Sequence, residues 1–160
     1  MPPIVHPIAP VYDEHSRVLI LGTFPSVKSR EEGFYYGNSR NRFWQVISSI
    51  LGEPLPGDIS RKRCLLLEHR CALWDVIREC ELNGSSDASI RAAVPNDLER
   101  ILRGAPIERI LLNGSTAGRL YMKHFGHLAL PAFILPSTSP ANAGWSEEKL
   151  VGAWRPHLTR

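Results

Sequence analysis

Near its amino end the chain reads Val18-Leu19-Ile20-Leu21-Gly22-Thr23-Phe24-Pro25-Ser26. The first four of these residues are an uninterrupted apolar run, which has the length and residue types of a strand buried on both faces. From residue 40 to residue 51, apolar side chains recur at three- and four-residue spacing, which predicts a helix with one buried face. Between strand and helix lies a loop of about twenty residues, and loops that long in compact domains usually carry function. Three consecutive aromatic residues at 34–36 argue against disorder, so we expect a functional site here.

The rest of the chain alternates short apolar segments with helical patterns. The predicted strands cover residues 18–23, 72–76, 109–112 and 132–135, and the predicted helices cover residues 40–51, 60–69, 96–104, 115–125 and a last segment after Ser146. Short buried strands that alternate with helices predict a parallel sheet covered on both faces. We therefore expect an α/β fold, a three-layer α/β/α arrangement around a short, mainly parallel four-stranded central sheet.

Neither a repeat nor a domain-boundary linker interrupts this pattern, so residues 1–160 are predicted to form a single domain. Four prolines among the first ten residues predict an extended amino-terminal arm, residues 1–10, that packs on the surface. The sequence Asn96-Asp97-Leu98-Glu99 has the signature of a helix cap, which predicts that the third helix opens at Asn96.

Length and composition fit a soluble globular protein. A chain of 160 residues can bury roughly two-thirds of its unfolded surface without disulfides or metal. Its apolar runs are shorter than a membrane span and its first residues lack the pattern of a signal peptide, so we expect no membrane contact. The three cysteines are odd in number and lack a Cys-x-x-Cys pair, which indicates reduced, mostly buried thiols in a cytoplasmic protein.

The formal net charge of +3 is small and by itself decides nothing about partners. The fifteen arginines far outnumber the four lysines. Arginine binds phosphate in a bidentate manner and stacks on bases, so the bias favours a nucleic-acid partner. A GC-rich genome explains the same bias at least equally well.

Polar, Gly/Pro-shaped segments follow three of the predicted strands, at residues 23–26, 113–115 and 136–139, and Asp75 lies near the end of the fourth. In parallel α/β sheets, ligands bind beyond the carboxyl ends of the strands. Exposed backbone N–H groups in such segments suit phosphates and the edges of bases. The residues alone therefore predict one ligand site built from these segments.

Three motifs carry a resemblance to a known family: the segment Gly22–Ser26, the turn Tyr35-Tyr36-Gly37-Asn38, and the later segment 135–143, which reads LPSTSPANA. Together they resemble the uracil-DNA glycosylase superfamily, and within it the hypoxanthine-DNA (deoxyinosine) glycosylase branch. The likeness runs from about Arg17 to Trp154. It implies a monofunctional enzyme that hydrolyses the N-glycosidic bond of deoxyinosine in chromosomal DNA and releases hypoxanthine. It also implies a monomer whose partner is DNA containing a deaminated base.

No cofactor or metal is expected. Some relatives carry an iron–sulfur cluster on four cysteines, and the three cysteines of this chain cannot supply it. A strand-cleaving mechanism would need a lysine that forms a Schiff base with the sugar. No lysine stands in a motif of the predicted site, so this mechanism is not expected.

The resemblance implies that Asn38 is the catalytic residue, which positions water at the sugar carbon. From residue chemistry alone, an ordinary turn asparagine is the better interpretation of Asn38. Many superfamily members place a catalytic Asp or Asn directly before the motif proline, and this chain has Phe24 there. Asn41 is the competing candidate, although its position before a helix favours a cap.

Tyr36 is the candidate platform for an extruded base, or else a core tyrosine. Asp75 is a candidate acceptor for the purine N1–H, or else a helix cap or the partner of Arg78. Asn113, at an Asn-Gly turn, fits a structural role better than base reading. The expected substrate-binding residues are Gly22, Thr23, Phe24, Pro25, Ser26, Tyr36, Asp75 and Asn113. The expected DNA-binding residues are Lys28, Arg40, Ser137, Thr138, Ser139, Pro140, Ala141 and Asn142.

The sequence is also compatible with two other functions. One keeps the chemistry but takes uracil, in a mismatch or a single strand. The other is a DNA- or nucleotide-binding module that lost catalysis when Phe24 replaced the motif carboxylate or amide.

Overall fold

A computed structural model of the chain describes residues 2–82 and 90–159. Its strands are β1 (Ile4–Val5), β2 (Val18–Gly22), β3 (Cys71–Asp75), β4 (Ile77–Glu81), β5 (Arg91–Pro95), β6 (Arg109–Asn113) and β7 (Ala132–Leu135). Its helices are α1 (Val27–Glu32), α2 (Phe43–Leu51), α3 (Ile59–Glu68), α4 (Glu99–Gly104), α5 (Ser115–Phe125) and α6 (Glu147–Leu158).

The predicted α/β fold is confirmed. Four parallel strands form one sheet in the order β3-β2-β6-β7, and each predicted strand is present to within one residue at either end. Every residue of β2, β3 and β6 is buried, which explains why these strands read as continuous apolar runs rather than alternating ones.

The strand order places helices on both faces of this sheet. The chain leaves β2 through α1, α2 and α3 and returns one place to one side, as β3. It leaves β6 through α5 and returns one place to the other side, as β7. Because parallel crossovers are right-handed, these opposite moves put the two sets of helices on opposite faces. The neighbours β2 and β6 therefore flank the switch point of the topology, where ligands bind in such sheets.

The helices follow the predicted pattern with three differences. The loop after β2 contains a short helix that the prediction missed, α1, capped by the Ser26 side chain and closed by Gly33 at a φ of 77°. Helix α2 begins at Phe43 rather than at residue 40. The predicted cap at Asn96 is wrong, because its buried side-chain amide donates to the carbonyl oxygens of Asp75 and Ile77 instead.

A second, antiparallel sheet was not predicted. It has the order β1-β4-β5, and register shifts interrupt the β4–β5 pairing. The predicted surface arm is partly wrong: of its residues 1–10, Met1 lies outside the described residues, and Ile4–Val5 pairs with β4 as β1. Beyond β1, Ile8 joins the hydrophobic core, so the arm is integrated into the fold.

Two of the three cysteines, Cys71 and Cys80, are buried, whereas Cys64 is exposed, and all three are free thiols. Burial raises the pKa of the Cys71 thiol to about 12, which keeps it protonated. In the described ranges no helix combines the length and apolarity that crossing a bilayer requires.

We expect a disulfide reagent added to native protein to titrate Cys64 rapidly, while Cys71 and Cys80 stay protected because they are buried. The measurement is the thiol count with Ellman's reagent, taken before and after denaturation in urea. Rapid native reaction of all three thiols would contradict this burial pattern.

Candidate active site

A cleft of about 860 Å³ opens at the carboxyl edge of the parallel sheet. Its walls are the segments that follow β2, β6 and β7, with Asp75 from the end of β3 and the turn around Tyr36. The cleft therefore lies at the β2/β6 switch point that the strand order indicates. Its described lining residues include Gly22, Thr23, Phe24, Pro25, Ser26, Tyr36, Asn38, Asn41, Asp75, Asn113, Ser137, Thr138, Ser139, Pro140, Ala141, Asn142 and Trp145.

Gly22 ends β2 at a place where there is no room for a side chain. A Cβ atom there would lie 2.6 Å from Asp75 Oδ1 and 2.7 Å from the Tyr36 hydroxyl. Real Cβ contacts are almost never that short, so both polar groups approach the backbone because residue 22 is glycine. The next residue, Thr23, is buried, and its Oγ1 has no partner among the described residues.

The aromatic turn sorts its three rings between core and cleft. Phe34 and Tyr35 are buried, and the Tyr35 hydroxyl donates to the Ala9 carbonyl oxygen at 2.8 Å. Burial, and secondarily the charge of Asp75, raise the pKa of Tyr35, so it remains a neutral donor. Tyr36 has a φ of 55°, and its ring stacks on Phe43 with 4.0 Å between centroids.

Asn38 is half-buried on the cleft wall, directly after this turn. Its Oδ1 accepts a hydrogen bond from the Arg40 N–H at 2.9 Å, which fixes the orientation of the amide. The positive φ of this turn belongs to Tyr36 rather than to Asn38, so backbone conformation alone does not require asparagine at 38. No described group accepts from the Asn38 Nδ2, and this amide is oriented and available to a ligand.

Asp75 is the single carboxylate among the described lining residues. It is buried, and its Oδ2 lies 2.7 Å from Nε2 of His6, on the arm. The alternative of a helix cap is wrong, because strand β4 and not a helix follows Asp75, and the alternative of a pair with Arg78 is wrong, because the Arg78 guanidinium lies beside Glu79. Sequence reasoning missed His6, since no local signal links it to a residue 69 positions away.

Asn113 connects the segments of the cleft. Its Nδ2 donates to the Tyr36 hydroxyl at 3.1 Å and to Thr138 Oγ1 at 3.0 Å, and its Oδ1 accepts from the Thr138 N–H at 3.0 Å. Thr138 Oγ1 in turn donates to Asn41 Oδ1 at 2.8 Å. Both amide hydrogens of Asn113 are therefore used within the protein, as the structural interpretation expects.

Asn41 and Thr138 have internal partners as well. Asn41 Oδ1 also accepts from the Phe43 N–H at 3.0 Å, as expected for the residue before a helix. Thr138 is fully buried, so its side chain lies inside the wall, away from any DNA backbone.

The segment 136–142 is held by one guanidinium that sequence reasoning also missed. Arg42 donates to the carbonyl oxygens of Ser139 and Asn142 at 3.1 Å each, and to that of Trp145. The only sequence signal for this role was the position of Arg42 between Asn41 and the first helical residue. Trp145, an exposed aromatic at the cleft, was likewise not predicted.

Two predicted DNA contacts lie outside the cleft lining. Lys28 is on the exposed side of α1, where its ammonium group lies 3.5 Å from Glu32. Arg40 is exposed next to the Asn38 wall. In the described residues no cluster of three or more His, Cys, Asp or Glu side chains is arranged to hold a metal ion.

A family model described as the uracil DNA glycosylase superfamily matches residues 9–157. The chain belongs to the uracil DNA glycosylase superfamily. A relative named hypoxanthine DNA glycosylase, from Methanosarcina acetivorans, is 34% identical over 141 residues, which cover 87% of this chain and 89% of the relative. One of the same name from Methanosarcina barkeri is 32% identical, with 86% and 93% covered. A solution NMR structure of a candidate uracil DNA glycosylase from Methanosarcina acetivorans matches with a TM-score of 0.80 at 32% identity, covering 96% of this chain and 97% of that one.

Membership in this superfamily makes the position before Pro25 informative. Phe24 is there, half-buried, with the His6 ring at 5.8 Å and the Arg30 guanidinium at 5.9 Å from its ring centre. A phenyl ring cannot orient water.

Four of the described asparagines line the cleft: Asn38, Asn41, Asn113 and Asn142. The oxygen of Asn41 accepts two hydrogen bonds, both amide hydrogens of Asn113 are used, and Asn142 Nδ2 donates to the Ser137 carbonyl oxygen. The amide of Asn38 accepts one hydrogen bond, from the Arg40 N–H, and is the least engaged of the four.

We expect Arg42→Ala to lower the free energy of unfolding by about 1–3 kcal/mol, because charged hydrogen bonds to the 136–142 segment are lost. The measurement is urea denaturation, with amide hydrogen exchange at Asn142 and Trp145 to localise the loss. Arg155→Ala, at an exposed position on α6, is the matched control and should change stability by no more than about 0.5 kcal/mol. Unchanged exchange at Asn142 and Trp145 would contradict the proposed anchoring role.

Proposed function

We propose that this protein hydrolyses the N-glycosidic bond of deoxyinosine in DNA and releases hypoxanthine. The observation that carries the proposal is the pairing of an oriented amide, Asn38, with a single buried carboxylate, Asp75, in one cleft at the switch point of the sheet. The two relatives named hypoxanthine DNA glycosylase, similar over most of both chains, support the same choice of base.

The reaction breaks the bond between the sugar C1′ and the base nitrogen. As this bond breaks, the sugar becomes oxocarbenium-like and the base leaves as an anion or after protonation. Water adds easily to such a sugar, so an amide that positions the water is enough. Asn38 fits this role because its carbonyl side is fixed by the Arg40 N–H while the whole amide remains on the cleft wall.

Recognition of hypoxanthine requires an acceptor for N1–H and a donor for O6. Adenine has no proton on N1 and carries an amine at the six position, so it would leave Asp75 facing a lone pair. Such an unpaired buried group costs orders of magnitude in rate. Thr23 Oγ1, buried in the cleft wall without a described partner, is a candidate donor to the base. The Gly37 N–H is not one, because it donates to Ser29 Oγ at 2.9 Å.

The 136–142 segment offers hydroxyl groups to the DNA backbone. Ser137 Oγ accepts from the Ser139 N–H, and Ser139 Oγ accepts from the Ala141 N–H, both at 3.1 Å. Each hydroxyl still has its own proton to donate, which suits a phosphate oxygen. We assign phosphate contacts to these two serines and to the exposed Arg40, and stacking on the extruded base to Tyr36.

The enzyme works as a single domain and a monomer. One hydrophobic cluster joins residues from Ile8 to Leu158, and the proposed reaction needs no group beyond those that line the cleft. The described lining contains no lysine that could form a Schiff base with the abasic sugar, and this supports the proposal of a monofunctional reaction.

The first test is base release from duplexes and single strands containing inosine, uracil or xanthine, detected as alkali-labile abasic sites. We expect cleavage of the inosine substrates and little or none of the uracil substrates. Release of uracil in preference to hypoxanthine would assign the related uracil activity. Tight binding without any abasic product would leave only a binding module.

Asn38→Ala should reduce single-turnover release of hypoxanthine by roughly 1,000-fold or more while affinity for inosine DNA changes little. The reason is that the water it positions matters in the transition state and not in ground-state binding. The measurement is the rate at saturating enzyme, with affinity from fluorescence anisotropy. Near-normal release by Asn38→Ala would transfer the role to Asn41.

Tyr36→Ala serves as the contrasting variant, because it should weaken engagement of the damaged base by roughly 1–3 kcal/mol. Tyr36→Phe keeps the ring and removes only the hydroxyl that Asn113 binds. It separates stacking from the hydrogen bond.

Gly22→Ala should lower hypoxanthine release by roughly 100-fold, because its methyl group displaces Asp75 Oδ1 and the Tyr36 hydroxyl together. Gly152→Ala on α6, where a Cβ meets nothing within 4 Å, is the control and should keep full activity. Equal activity of both variants would show that neither displaced group takes part.

A further inference from the structure

His6 lies outside the superfamily motifs, and its side chain is buried. Its side chain is only 2% exposed and lies against the buried carboxylate of Asp75. The imidazole is enclosed by the rings of Phe24, Tyr35 and Trp74, with centroid distances of 5.8, 6.0 and 6.5 Å. An enclosed imidazole in contact with the candidate base-recognition carboxylate can fix the orientation of that carboxylate.

We infer that His6, delivered by the amino-terminal arm, is a positioning residue that locks Asp75 as a pure hydrogen-bond acceptor toward the base. The inference rests on the proposed function, because it assigns Asp75 to the N1–H of the released base. It extends that function to a specificity device, since it decides which kind of base edge the cleft admits.

The hydrogen bonds of His6 determine which ring nitrogen carries the proton. Nδ1 accepts from the Ile8 backbone N–H at 3.2 Å, so Nδ1 has no proton of its own. A neutral imidazole then carries its proton on Nε2. Nε2 lies 2.7 Å from Asp75 Oδ2, so the histidine donates and that carboxylate oxygen accepts.

The arm is fixed before and after this residue. Ile4 and Val5 pair with β4, and the His6 N–H donates to the Arg78 carbonyl oxygen at 2.6 Å. Ile8 is buried in the core. The backbone that carries the imidazole is therefore held in place, and the rings of Phe24, Tyr35 and Trp74 restrict rotation of the side chain.

With Oδ2 occupied by His6, the other oxygen of Asp75 serves the cleft. Oδ1 lies beside Gly22 and on the side of the Tyr36 hydroxyl, as the close approach of both groups to the Gly22 Cβ position shows. A carboxylate oxygen can accept more than one hydrogen bond, so Oδ1 can accept from a base with the Tyr36 hydroxyl beside it. Because Oδ2 is held by His6, Oδ1 of Asp75 is an acceptor that suits a ring nitrogen carrying a proton, as in the lactam bases that deamination produces. It rejects adenine and cytosine, whose ring nitrogens are themselves acceptors.

The decisive experiment is a double-mutant cycle of His6→Ala and Asp75→Asn, measured as single-turnover hypoxanthine release at saturating enzyme. His6→Ala should slow release by roughly 10- to 100-fold, because a charge-assisted hydrogen bond that orients the carboxylate is lost. The double variant should be no slower than Asp75→Asn alone, since His6 acts through Asp75. Effects that multiply would overturn the inference.

Three further measurements separate positioning from plain stabilisation. His6→Gln should recover most of the rate, because its side-chain amide can still donate to Asp75 Oδ2. All His6 variants should bind DNA containing an abasic site as the wild type does, because no base then meets Asp75. His15→Ala removes an exposed histidine and is the matched control with full activity. A variant His6→Ala whose abasic-site affinity falls in parallel with its rate would overturn the inference in favour of a structural role.

The tautomer can be read without any activity, by long-range proton–nitrogen NMR correlations of the wild-type imidazole. We expect a neutral ring with its proton on Nε2, and a proton on Nδ1 would overturn the inference. Wild-type protein that releases no hypoxanthine would overturn the proposed function together with this recognition role. Active wild type with a multiplicative cycle would overturn the role of His6 alone.

Discussion

The geometry of the cleft depends on the side-chain amide of Asn113 at the end of β6. Through its two N–H groups and its oxygen it holds Tyr36 and Thr138, which are 77 and 25 residues away in sequence. Thr138 extends the network to Asn41, at the entrance to α2. Because these groups are mostly shielded from water, losing one partner leaves another unsatisfied at a cost of about 1–3 kcal/mol. The strand, the aromatic turn and the 136–142 segment therefore keep their positions together.

This network also explains how residues from loops can form a site in which the side chains keep fixed positions. Asn113 is the last residue of the fully buried strand β6, and it ties to that strand Thr138, from the segment after β7, and Tyr36, from the loop between α1 and α2. Asn38 and Asp75, which line the cleft, are each oriented by a second protein group, the Arg40 N–H and His6. Such preorganisation means that little conformational change has to accompany reaction.

Much of this could be predicted from sequence, because the signals were local. The four parallel strands are mainly apolar runs, and polar, Gly/Pro-shaped segments directly follow three of them, which located the cleft. The antiparallel sheet escaped prediction because β4 and β5 carry charges or proline and have neither a continuous apolar run nor a strict alternation. His6 and Arg42 escaped because their partners are distant in sequence, and a side chain's long-range partner leaves no periodic trace. The helix cap predicted at Asn96 was wrong because the Asn96 amide donates to carbonyl oxygens of β3 and β4 and not to a helix end.

Arg42 binds the 136–142 segment and Trp145 through carbonyl oxygens, which every amino acid possesses. Part of what fixes the curvature of that segment is therefore encoded away from the segment itself, in one arginine at the start of α2. Its outward side chains at 140 and 141 are exposed and are released from the task of maintaining shape. Substitutions there can remodel the surface presented to a nucleic-acid strand while the backbone stays in register, so this short stretch is where new strand preferences can be acquired without refolding the enzyme.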